Sequence, residues 1–137
     1  MKVSEDIIEG GMGAGRAEPA GEKLLKRLDR AKANIIAAYW VYVPAVAEWH
    51  LELVSPRVES EGPLEFYSEV GDLVSYPIRI DYLTLNTIMV LGPNYSFYKQ
   101  LRSALKPKED LSGVRLRQLL VGNEVMDLYI YRYPAKE

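Results

Sequence analysis

The feature that most constrains this chain is a stretch of apolar residues at positions 35–47, thirteen residues long and interrupted by Pro44. It is well short of the roughly 20 apolar residues that a membrane-spanning helix needs. Within it, AAYWVYVP is dense in β-branched and aromatic side chains, which is the composition of a strand. Successive side chains of a strand point to opposite faces, and here odd and even positions are both apolar. Neither face can therefore lie against water, and such a strand belongs near the middle of a sheet or under cover on both sides.

The segments around it suggest what supplies the cover. WHLELVSP follows after a gap from Pro44 to Glu48 that suits a hairpin, and in it Trp49, Leu51 and Leu53 alternate with His50 and Glu52. Upstream, from Glu22, Leu24, Leu25, Leu28, Ala31 and Ile35 recur at helical spacing, with Lys23, Lys26, Arg27, Arg30 and Lys32 forming a basic outer face. Gly62-Pro63 opens a second helix, with Leu64, Tyr67, Val70 and Val74 as its expected buried stripe and Pro77 as its stop. IRIDYLTLNTIMVL predicts a strand over 78–91, Gly92-Pro93-Asn94 starts a helix with Phe97, Leu101 and Leu105 inward, and Lys106-Pro107 ends it. VRLRQLLV and EVMDLYIYRY then flank Gly122-Asn123, a turn pair that predicts a closing hairpin.

The expected order is α-β-β-α-β-α-β-β, an α+β domain with a mostly antiparallel sheet of about five strands and helices packed on one face. Leu51, Leu53, Met126, Leu128 and Ile130 would line the covered face, and function would be sought on the open one. Residues 1–17, with GGMGAGR, read as a flexible glycine-rich tail on a single domain at 18–137. The glycines lack the GK[ST] ending of a phosphate loop.

Bulk properties narrow the function classes. Seventeen basic against nineteen acidic side chains, net charge −2, argue against whole-surface attraction to nucleic acid or anionic membrane. The chain has no cysteine and one histidine, which removes disulfides, thiolate metal sites, cysteine nucleophiles and histidine-rich metal sites. The acidic start MKVSEDIIEGG does not read as a signal peptide. A cytoplasmic protein with no cofactor, no metal and no membrane contact is the expectation.

AAYW, WHLELVSP, GPLEFY and the closing VGNEVMDLYIYRY together resemble a family of small uncharacterised bacterial proteins, a domain of unknown function, over about residues 35–133. The resemblance implies a compact α+β bacterial protein. It carries over no activity and no catalytic residue.

Three constellations stand out. His50 and Glu52 share a strand face and precede Arg57, the acid, base and phosphate-holding groups a small metal-independent ribonuclease-like enzyme would need. Arg115 and Arg117, with Tyr129, Tyr131 and Tyr133 on alternate positions and Arg132 among them, could grip single-stranded nucleic acid by phosphate contact and stacking; the same tyrosines could equally pack against the N-terminal helix or a second subunit. Glu61, Glu65 and Glu69 recur every four residues, which reads as a solvated helix face. An acidic block at 48–72 and a basic block at 99–117 suit head-to-tail or twofold contact. The reading that asks least of these residues is a non-catalytic binding or accessory protein acting through a partner protein or self-association, with nucleic-acid binding and the enzyme as alternatives.

Overall fold

A computed structural model describes residues 17–105 and 111–134. The expectations for residues 1–16 and for the loop at 106–110 lie outside the described residues. Helix α1 spans Ala17–Arg30 and leads to β1, Ala37–Val43, and β2, Glu48–Val54. Two helices follow, α2 at Arg57–Glu61 and α3 at Pro63–Ser75, then a single 3-10 turn at Leu85–Thr87 and β3 at Ile88–Leu91. The chain continues through α4, Ser96–Ala104, and closes with β4, Val114–Val121, and β5, Glu124–Arg132.

The α+β class and the order of elements are as expected, and the five strands form one sheet in the order β3-β2-β1-β5-β4. β1, apolar on both faces, is the central strand. Three pairings are antiparallel, while β2 and β3 run parallel, so the sheet is mixed. The reason is the long connection through α2 and α3, which carries the chain back to the end where β2 began, as a parallel pair requires.

The helices are not confined to one face. Ala38 and Trp40 of β1 lie with Trp49, Leu51, Leu53, Ile88 and Val90 beneath α1 and α3, which contribute Leu24, Leu25, Leu28, Phe66, Val70 and Val74. Ala37, Tyr39 and Val41 lie on the other side with Val54, Leu91, Leu128 and Ile130, where α4 adds Tyr98 and Leu101. Leu51 and Leu53 are thus on the opposite face from Met126, Leu128 and Ile130, contrary to the single covered face expected. Alternation says which residues of one strand share a side. It does not say which side of the sheet that is; here the β1–β5 register, with Tyr39 opposite Ile130 and an irregularity between Ala38 and Tyr39, decides it.

Two helical stripes shift as well. The buried side chains of α3 are Phe66, Val70 and Val74, spaced by four, while Leu64 is exposed. In α4 the fully buried pair is Tyr98 and Leu101, with Phe97 and Leu105 packed at its margin. Helix α1 begins at Ala17, itself buried, five residues before the sequence pattern becomes periodic.

Both sheet edges are blunted, a recurrent defence against unwanted strand pairing. The N–H of Val90 on edge strand β3 donates to the Tyr67 hydroxyl at 3.3 Å. Edge strand β4 is interrupted between Leu116 and Leu119; Gln118 there adopts a φ of 58° and its N–H donates to Asp127 Oδ1 at 2.8 Å. Gly122 turns the closing hairpin with a φ of 63°, the conformation glycine supplies most cheaply.

Candidate functional site

The structure separates the histidine–glutamate–arginine trio. His50 and Glu52 share the α4 face of β2, as alternation requires. His50 is mostly buried, with Nε2 3.2 Å from Glu48 Oε1. Glu52 lies opposite Tyr39 across the β1–β2 pairing and opposite Met89 across β2–β3. Although part of Glu52 reaches the surface, its Oε1 is buried, as is the Tyr39 hydroxyl, and neither completes a hydrogen bond of good geometry. Burial pushes the Glu52 carboxyl up to about 7 from 4.5, with the Tyr39 phenol drawing it partly back. The same burial raises the Tyr39 phenol well above its ordinary range, reinforced by Glu52.

Arg57 belongs to the other side. Its guanidinium makes a two-point contact with Glu61 at 2.9 and 2.8 Å, reaches Glu69 at 2.7 Å, and lies 5.4 Å from the centre of the Phe66 ring. Its hydrogen bonds to Glu61 and Glu69 raise its already high pKa. Phe66 belongs to the core under α1 and α3, so Arg57 clamps α2 to α3 and is not gathered with His50 and Glu52. Two of the three carboxylates expected on a solvated helix face, Glu61 and Glu69, are its partners. Among the described residues, no three His, Asp or Glu side chains converge as metal ligands.

The tyrosine strand serves mainly the interior. Tyr129 and Tyr131 meet edge to face, 5.3 Å between centroids and 84° between planes, beneath α1. The Tyr131 hydroxyl accepts from Trp40 Nε1 at 2.8 Å and donates to the Glu18 carbonyl at 2.6 Å. Tyr133 does not share their face: it packs in the α4 core, its hydroxyl donating to the carbonyls of Leu101 and Leu105 at 3.2 and 3.0 Å. Arg132 holds Asp29 by two contacts of 2.9 and 2.7 Å and donates to the Ile35 carbonyl. Arg115 lies 5.5 Å from the Trp49 ring centre, whereas Arg117 is exposed. The open tyrosine face expected from alternation is thus closed by α1 on one side and by α4 on the other. What is left beside it is a groove of about 640 Å³ between α1 and the approach to β4, lined in part by Glu22, Lys26, Ser112 and Tyr129.

The residues that sequence reasoning missed lie between α3 and β3. Instead of a strand over 78–91, only Ile88–Leu91 is extended in the sheet. The connection before it exposes Tyr76 at 74%, Ile78 at 74%, Leu85 at 45% and Tyr82 at 43%. It is nevertheless well anchored. Ile80 and Leu83 are buried, the Ile80 N–H donates to the Val74 carbonyl at 2.8 Å, and Arg79 Nη2 donates to the Leu83 carbonyl at 2.9 Å. Arg27 of α1 donates to the carbonyls of Leu73 and Tyr76 at 2.7 and 2.9 Å. Tyr82 has a φ of 71°, a left-handed conformation uncommon for a bulky residue. A signal was present in the fourteen residues of the supposed strand, well beyond the usual five or six. No protein-family model, curated protein or solved structure matches the chain.

Proposed function

We propose that the chain is a non-catalytic, cytoplasmic binding or accessory protein that works through protein contacts, first of all with a second copy of itself, and that the α3–β3 connection is the contact surface. The observation that carries this reading is the display of Tyr76, Ile78, Tyr82 and Leu85 on an anchored segment. Large apolar and aromatic side chains exposed within one short segment are characteristic of contact sites. Because the segment is held by Ile80, Leu83, Arg79 and Arg27, little ordering entropy opposes docking.

A second copy is favoured by charge. Arg79 and Asp81 are both exposed and lie between Ile78 and Tyr82. A twofold contact brings each surface against itself, so Arg79 of one copy can meet Asp81 of the other, and the reverse, within an apolar surround. The blunted edges of β3 and β4 direct association away from sheet extension. The cysteine-free composition suits a reducing compartment.

Sedimentation velocity across micromolar to millimolar concentrations tests the reading. The wild-type chain should shift from monomer to dimer, and the Tyr76→Ser, Ile78→Ser double variant should stay monomeric with an unchanged circular dichroism spectrum. A wild type that stays monomeric throughout, or a double variant that associates as the wild type does, would refute it.

A further inference from the structure

On the α4 face, two buried oxygen atoms confront each other across the central strand pair: Oε1 of Glu52 and the hydroxyl of Tyr39. The groups around them are few. β1 contributes Tyr39 itself; β2 contributes His50, held by Glu48. β3 contributes the non-ionisable Met89, α4 contributes Tyr98, and Tyr133 follows β5. The guanidinium of Arg102 is placed over the Tyr133 ring at 5.1 Å and donates to the Pro134 carbonyl. Among the described residues, no cation pairs with Glu52.

We propose that Glu52 is a proton-operated latch for helix α4. The neutral carboxyl carries its own donor and can share a hydrogen bond with Tyr39, so the α4 core closes over a satisfied pair. At the buried Oε1 the carboxylate has only the phenol to stabilise it, and a buried charge so poorly supplied with donors is stabilised most by access to water. The cover over the Tyr39 end of this pair that can yield at least expense is α4, nine residues whose two buried side chains, Tyr98 and Leu101, pack in one cluster with Tyr39. β1, by contrast, is paired on both sides and packed on both faces. Ionisation of Glu52 therefore biases α4 towards local opening, while the strands beneath stay paired.

Amide hydrogen exchange at about pH 5 and about pH 9, corrected for intrinsic exchange rates, reads this directly. With the carboxyl at 4.5 when open and about 7 when closed, protection of the α4 amides should fall by about 75-fold between the two conditions. Protection of β1 and β5 should hold. In Glu52→Gln the α4 dependence should vanish. Unchanged α4 protection in the wild type, a Glu52→Gln variant that keeps the dependence, or a loss spread evenly over the sheet would each overturn the latch. If Glu52→Gln fails to fold, infrared spectroscopy of the wild type decides instead: a protonated carboxyl band that disappears with a midpoint near 7 supports the latch, and its complete loss by about pH 5 refutes it.

Discussion

Tyr131→Phe removes a single oxygen from the place where α1 meets the sheet. That oxygen accepts the N–H of Trp40, which is fully buried, and donates to the first turn of α1 at Glu18. With a weaker contact to the Ala17 carbonyl at 3.3 Å also lost, the bonds differ in weight. The carbonyl of Glu18 retains its acceptor role within the helix, so losing the phenol there costs little. The indole N–H of Trp40, a fully buried residue, loses its hydrogen-bond partner and becomes an unsatisfied donor, worth about 1–3 kcal/mol. The ring itself remains, so the edge-to-face contact with Tyr129 survives. The net expectation is a loss of about 2 kcal/mol, or about 8 °C in melting temperature for a domain of this size. Urea unfolding followed by tryptophan fluorescence would measure it, with Tyr129→Phe as the control. The Tyr129 hydroxyl makes no such bond, and its removal should change stability by less than about 0.5 kcal/mol. Equal effects for the two variants, or a Tyr131→Phe cost below about 0.5 kcal/mol, would show that the phenol does not fasten α1 to the sheet.

Other positions test the remaining parts of the account. Arg57→Met keeps much of the stem over Phe66 but strips Glu61 and Glu69 of their partner; both pairs are partly solvated, so the loss of stability in urea unfolding should be small and should shrink further in high salt. For Glu52 the sign follows from a folded-state pKa of about 7 against 4.5. The folded form holds the proton more tightly, so the stabilisation is complete below 4.5 and is lost as pH rises to about 7. Wild-type unfolding free energy should therefore decline by about 3 kcal/mol over that interval from this group, and Glu52→Gln should be flat over it when both are followed by urea unfolding. Asp29 has the opposite sign: Arg132 holds its carboxyl below 3.8, so its contribution is present above that value and is lost in acid, and Arg132→Gln should remove that acid limb from the same pH series.

What could be read from the sequence was local. AAYWVYVP demanded cover on both faces and is the central strand with two cores. Gly122-Asn123 made a hairpin, and the leucines at 24, 25 and 28 identified the inner face of α1. What could not be read depended on how elements meet. Leu53 and Ile130 follow the same alternation yet lie on opposite sides of the sheet, because strand register decides which side a given parity takes. Tyr133 repeats the spacing of Tyr129 and Tyr131 but follows the end of β5 and packs under α4. Arg57 is close to Glu52 in sequence, but the chain turns after Val54 and delivers it to Phe66. The connection before β3 has a strand-like alternation in sequence, but its buried residues, Ile80 and Leu83, belong to opposite faces of that alternation and are pinned through tertiary contacts while its other apolar residues face outward. Periodicity reports burial only when the partner surface is known.

The proposed twofold contact is tested most directly by reversing its charges. Arg79→Asp alone and Asp81→Arg alone should each place like charges opposite one another in a self-pair, and each should sediment as a monomer. Mixed in equal amounts, the two variants restore an opposite-charge pair at both positions, so sedimentation equilibrium should recover a dimer containing one copy of each. A mixture that stays monomeric while the wild type dimerises, or single variants that dimerise as well as the wild type, would contradict self-association through the α3–β3 connection.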